Sequence, residues 1–220
     1  MSVIERPMFN PYSFAEEERD NIRHISVQLG FLIDFENDFS AGAALMHEIR
    51  RQMKRNNLYD RKAQNLVASN WKSVVARDGA VILYKIQDII NNINASLIDV
   101  PGFCSFVDQE KKNLAAKAFR LAFPDANIIR QAVTHTPDIT KNTEKFSEHT
   151  ISGDYDNGNI LLRKVKHIII QPNVSGDVFT CSYREKSYSY IINLEVSKKL
   201  NVIIKDFIIA FNSASIRKIC

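Results

Sequence analysis

The chain has 220 residues, 45% of them hydrophobic and 25% charged, and a formal net charge of +4. That balance belongs to a globular protein with its own core; it excludes a disordered chain, and no apolar run approaches the roughly 20 residues that a bilayer-spanning helix needs. Three cysteines, Cys104, Cys181 and Cys220, stand at neither disulfide-framework nor zinc spacing, and the first residues lack a basic-then-apolar signal, so the expected setting is a reducing cytoplasm.

The first predicted helix covers 14–39. Ser13 precedes an acidic turn of Glu16, Glu17, Glu18 and Asp20, which suits the exposed N–H groups of a helix start, and Ile22, Ile25, Leu29 and Leu32 follow at helical spacing. Ser40 reads as the cap of a second helix running to about Arg55, broken at Asn56–Asn57. The strongest signal spans Leu66 to Leu97. At 100° per residue Trp71, Val74, Val75, Ile82, Ile86, Ile89, Ile90, Ile93 and Leu97 share one broad face, and Pro101–Gly102 lies just beyond its end. A helix of that length needs long neighbours to cover its stripe, so an antiparallel bundle follows.

Two shorter helices are predicted next. One covers 108–123 with Leu114, Ala115, Ala118, Phe119 and Ala122 inward; the other covers 126–136 and ends at Pro137. A polar loop over Thr136–Asn159 leads into strands at Ile160–Leu162 and Lys166–Gln171, then a turn at Pro172–Gly176. Asp177–Tyr183 and Ser187–Asn193 alternate around Arg184–Lys186 as a hairpin, and Leu194–Phe211 returns to helix spacing. The fold expected is α+β: an N-terminal antiparallel bundle of long helices over 1–150, then a small antiparallel β-meander and a C-terminal helix over 151–220, packed on the bundle.

Charge is unevenly spread. Residues 47–72 hold Arg50, Arg51, Lys54, Arg55, Arg61, Lys62 and Lys72 against Glu48 and Asp60, a local excess that attracts phosphates or forms a solvated helix face. No G-x-G-x-x-G, P-loop, G-x-S-x-G or H-E-x-x-H occurs, so neither cofactor nor metal is indicated. Asp78 falls on the apolar face of the long helix between Val74 and Ile82, while Arg77 points elsewhere. A carboxylate facing a core needs a cation or N–H donors. Asp78 is therefore expected to meet an Arg, a His or a backbone N–H of another helix, as a structural bond or as part of a pocket.

Arg130-Gln131-Ala132-Val133-Thr134-His135 carries an R-x4-H spacing on the short helix after Pro124–Asp125. Here the chain resembles the HEPN superfamily of helical nucleotide-binding and ribonuclease domains, over about 14–136. Gln131 departs from the family's commoner Asn, Asp or His, and the same spacing recurs at Arg19–His24. A second resemblance is to uncharacterised bacterial proteins carrying W-x5-R-D-G and I-R-x-A-V-x-H, matched by Trp71, Arg77-Asp78-Gly79 and Ile129–His135. The HEPN resemblance implies RNA or nucleotide as partner, a homodimer and metal-independent RNA cleavage. Arg130 would then neutralise the scissile phosphate and His135 would act as general acid or base. The competing expectation is a non-catalytic module that dimerises or binds a partner, with His135 bonding the last carbonyls of its helix and Arg130 in an ion pair.

Overall fold

The computed structural model describes residues 3–55, 61–139, 150–156, 161–170 and 172–215; of 54–55, 61–64, 135–139, 155–156, 161–162 and 165–167 it describes the backbone alone. The fold is α+β. Helices α1 (Arg19–Arg55) and α2 (Arg61–Ser96) are followed by α3 (Pro101–Cys104), α4 (Gln109–Ala122) and α5 (Ala126–Ile139). Strands β1 (Ile151–Asp156), β2 (Leu161–Ile168), β3 (Asn173–Ser175), β4 (Val178–Tyr183) and β5 (Lys186–Ile191) precede α6 (Leu194–Ile209). No described helix is long and apolar enough to cross a membrane.

The chain divides into two compact units, neither contiguous in sequence. The first comprises 1–40, 82–124 and 195–220, and the second 41–81 and 125–194. α1 and α2 each contribute a part to each unit.

In the first unit, Ile22, Ile25, Leu29 and Leu32 of α1, Leu83, Ile86, Ile90 and Ile93 of α2, Ala115 and Phe119 of α4, and Leu200, Ile204 and Phe207 of α6 are buried. Lys85 of α2 lies over the Phe35 ring of α1 at 4.9 Å, so the two helices meet there. Ser40 does not begin a second helix. It sits inside continuous α1, where its hydroxyl donates to Glu36 Oε1 at 2.7 Å. Because that hydroxyl has one proton, the Ser197 hydroxyl of α6 donates to Ser40 Oγ at 2.8 Å. Leu114, expected inward, is 60% exposed, and Lys112 and Ala116 are buried in its place. α4 begins at Gln109, one residue after the expected start, because Asp108 is its cap: Asp108 Oδ1 accepts from Lys111 N–H at 2.9 Å.

In the second unit, β3-β4-β5 form an antiparallel sheet and β1-β2 a separate hairpin. β1 falls where a polar loop was expected, and β2 is one strand in place of two segments. Their pairing is irregular, with register shifts on both sides of Gly153 (φ +101°), and that broken alternation hides the strands from a period-two reading. β4 and β5 match the expected hairpin. The turn between them, Arg184–Glu185, holds both residues at positive φ, the primed geometry that matches strand twist. Phe179 pairs with Tyr190 and Cys181 with Tyr188 across the sheet. Their shared face is core, with Phe179 and Cys181 fully buried. Helix α5 packs against β4 and β5.

The Tyr190 hydroxyl donates to the Ala76 carbonyl of α2. Burial, with the Asp78 carboxylate adding to it, holds that hydroxyl's pKa far above the ordinary phenol value, and burial pushes the Cys181 thiol up to about 12. Both groups stay neutral when folded but ionise from about 8.5 (thiol) and 10 (phenol) when unfolded. Above pH ~8.5 the unfolded state therefore binds fewer protons, and stability falls as pH rises by up to about 1.4 kcal/mol per unit for each group. We expect the urea midpoint to drop between pH 8 and 10.5, with Cys181→Ala removing the first part of the slope. A level midpoint across that range would contradict this assignment.

Candidate functional site at the paired ends of the long helices

α1 beyond residue 40 and α2 up to residue 81 pair closely in the second unit. A Cβ at Gly42 would stand 3.3 Å from Val75 Cγ1 and 3.7 Å from Ile192 Cδ1, so the glycine lets three elements approach. Beyond Met46 the core residues of α1 run out, while apolar side chains continue. Leu45 and Met53 of α1 and Leu66, Val67, Trp71 and Val74 of α2 are exposed, Trp71 by 54% and Val74 by 55%.

The exposed stripe has a simple geometric origin. Positions 67, 71, 74 and 78 are spaced four, three and four apart, so they share one face of α2. Buried Val75, Ala76, Ala80, Leu83 and Ile86 centre on a direction roughly 140° away. Trp71, Val74 and Asp78 were expected to face a core, and all three are exposed instead. Small residues explain the difference. Ala76, Gly79 and Ala80 are buried and admit the Tyr190 hydroxyl, yet carry little hydrophobic signal in the sequence. Asp78 has no hydrogen-bond or ion-pair partner among the described residues, so the expected bond to another helix is not found; its charge acts on Tyr190. Arg77 is exposed.

The predicted basic patch is partly compensated. Arg50 pairs with Asp177 in the β3–β4 turn, and Asn193 Nδ2 also donates to that carboxylate at 3.5 Å. Lys72 lies near both: burial and then the Arg50 charge lower its ammonium pKa, against the opposing pull of Asp177. Arg51 pairs with Glu48 at 2.8 Å on its own helix. The side chains of Lys54 and Arg55 lie outside the described residues. One carboxylate, Asp177, thus faces two cations carried by two helices.

Arg130 and Gln131 are half-buried on α5, where Gln131 Nε2 meets Asn127 Oδ1 at 3.4 Å. The Thr134 hydroxyl bonds back to the Arg130 carbonyl at 3.0 Å. The His135 side chain lies outside the described residues. α5 continues to Ile139, past the expected stop at Pro137, so 130 and 135 are both helical positions, about 140° apart around an ideal axis. That spacing alone does not bring them to one face. Positions 19 and 24 are separated in the same way; Arg19 lies over the Tyr12 ring at 5.3 Å and His24 Nε2 meets Gln28 Nε2 at 2.9 Å.

The stripe at Val67, Trp71 and Val74 was missed because a helical wheel drawn over 66–97 merges it with the core arc. The narrower four-three-four spacing was the available signal. No family model, curated protein or solved structure matches this chain.

Proposed function

We propose that the chain is a non-catalytic binding module whose paired helix ends, α1 beyond residue 45 and α2 before residue 78, hold an acidic, apolar-faced helix of a protein partner. The observation that carries this reading is the exposed Val67–Trp71–Val74 stripe within a basic segment. A contiguous apolar strip rimmed by charge is the usual look of a helix-docking surface, and Trp and Arg are the residues that most often anchor one. Charge selects the partner. Residues 47–72 carry seven basic and two acidic side chains, and with Asp177 set against Arg50 a surplus of four positive charges remains, so an acidic helix is attracted, whereas a second copy of this chain would bring the same positive charge to the contact.

Trp71 is the chain's one tryptophan, and its fluorescence reports on this surface directly. Titration with an amphipathic peptide of about 20 residues, leucine on one face and glutamate on its flanks, should blue-shift the emission in a saturable way. By calorimetry, Trp71→Ala should weaken that binding about 30-fold, and added salt should weaken it further. An unchanged emission maximum at saturating peptide would refute the reading.

Single-stranded RNA is a second reading, favoured by the same indole beside Lys72: bases stack on exposed aromatics while phosphates meet the cations. It includes the HEPN-like expectation for Arg130 and His135. An RNA oligomer that quenches Trp71 and is cleaved without metal, with cleavage lost in Arg130→Ala, would favour it over a protein partner.

A further inference from the structure

A second site lies in the first unit, independent of the helix ends. Residues 3–8 pass beside the end of α6 and leave a cavity of about 380 Å³, within the size range of small-molecule pockets. Val3, Ile4, Met8, Ile208 and Ile209 supply apolar wall. Arg6, Lys205, Asn212 and Ser215 supply polar groups, with Glu5 the single carboxylate among the lining residues. Two cations against one acid leave the cavity positive.

Arg6 is held in place before any ligand arrives. Its Nη2 donates to the Ser26 carbonyl at 2.8 Å and reaches the Ser26 hydroxyl at 3.4 Å. The guanidinium lies over Gly30, where a Cβ would stand 3.0 Å from Nη1, so a side chain on α1 at this position would press on the guanidinium and shift it by a few tenths of an ångström. The other side of the cavity is tied as well, because the Ser215 hydroxyl donates to the Met8 carbonyl at 3.2 Å. Arg6 has no ion-pair partner among the described residues. A guanidinium fixed by one amino group, with its remaining N–H donors unmatched by an anion, is prepared for the planar fork of a carboxylate.

We propose that this cavity binds a small amphiphilic carboxylate, its head group received by Arg6 and its short apolar tail by the half-buried Ile4 and Ile209. Pre-anchoring of Arg6 lowers the entropy lost on binding, and the apolar wall gives selectivity for an alkyl tail over a bare anion such as acetate.

The test uses octanoate, with octylamine and 1-octanol as comparators of equal chain length, followed by calorimetry and by amide NMR shifts of the full chain. Octanoate should bind one-to-one, about 10-fold or more tighter than octanol, with shifts confined to 3–8 and 205–215; octylamine should not bind. Arg6→Gln should bring octanoate down to the affinity of octanol and leave octanol unchanged, and Arg6→Lys should restore part of the difference. Ile209→Trp, which fills the cavity from its apolar side, should remove both ligands. Equal binding of octanoate and octanol to the unaltered protein, absence of octanoate binding, or shifts lying elsewhere would each overturn the proposal. The comparison among the three ligands needs no variant, so a failure of Arg6→Gln to fold leaves it decisive.

Discussion

Replacing Phe103 with alanine is expected to cost about 3–5 kcal/mol, the range for emptying a fully buried aromatic site. Phe103 is completely buried. Its ring meets Phe9 at 4.9 Å and Phe14 at 5.4 Å edge-on, and Phe211 at 6.5 Å. It therefore joins the segment before α1, the short α3 and the residues after α6, three parts of the first unit far apart in sequence. Deletion removes the ring's transfer free energy and leaves a void among three other rings that cannot all collapse into it. A urea titration gives the loss directly, and the thermal midpoint should fall by on the order of 10 °C. Leu121→Ala on α4, at a position 74% exposed, is the control and should change stability by less than about 1 kcal/mol. Equal effects from the two substitutions would show that Phe103 is not a core residue.

The second large effect is expected at Glu18, one of the four acidic residues that marked the helix start in the sequence. The side chain is buried, and its carboxylate turns to the beginning of α3: Oε1 accepts from Gly102 N–H at 2.7 Å and Oε2 from Phe103 N–H at 3.1 Å. Glu18→Ala leaves two backbone donors without their acceptor, one of them buried, at a cost of about 3 kcal/mol. Gly102→Ala attacks the same contact from the other side, since a Cβ there would stand 2.9 Å from Glu18 Oε2. Because both substitutions break one interaction, the double variant should be destabilised by clearly less than the sum of the singles. Strict additivity in a double-mutant cycle would mean that the carboxylate and the α3 backbone do not act on each other.

The sequence reading is most accurate where one element carries its own signal. α4 covers 109–122 where 108–123 was expected, the β4–β5 hairpin follows its alternation, and α6 keeps its 3.6-residue period to Ile209. It fails where the deciding group lies elsewhere in the chain. Ser40 has the chemistry of an N-cap, yet Glu36 one turn earlier and Ser197 on α6 both bond its hydroxyl inside the continuous helix. Asp78 sits among apolar residues in sequence, but the side of α2 that packs is chosen by Tyr190 and by the small residues that let it approach. The patch at Arg50 and Arg51 is visible as a run of charge, whereas its partial neutralisation by Asp177 depends on a turn 127 residues away.

Composition and periodicity by themselves determined that this is a folded α+β chain, with long amphipathic helices followed by a small antiparallel sheet and a last helix. Those properties are local: hydrogen bonding to near neighbours and the repeat of apolar positions decide them within a few turns. Only the tertiary structure decided how α1 and α2 are shared between two compact units, which edge of α2 stays bare around Trp71, and where the N-terminal residues leave a cavity beside Arg6. Each of these is a question of which surface is covered. Coverage is set by side chains that meet in space from distant positions, and no window along a single chain contains both partners.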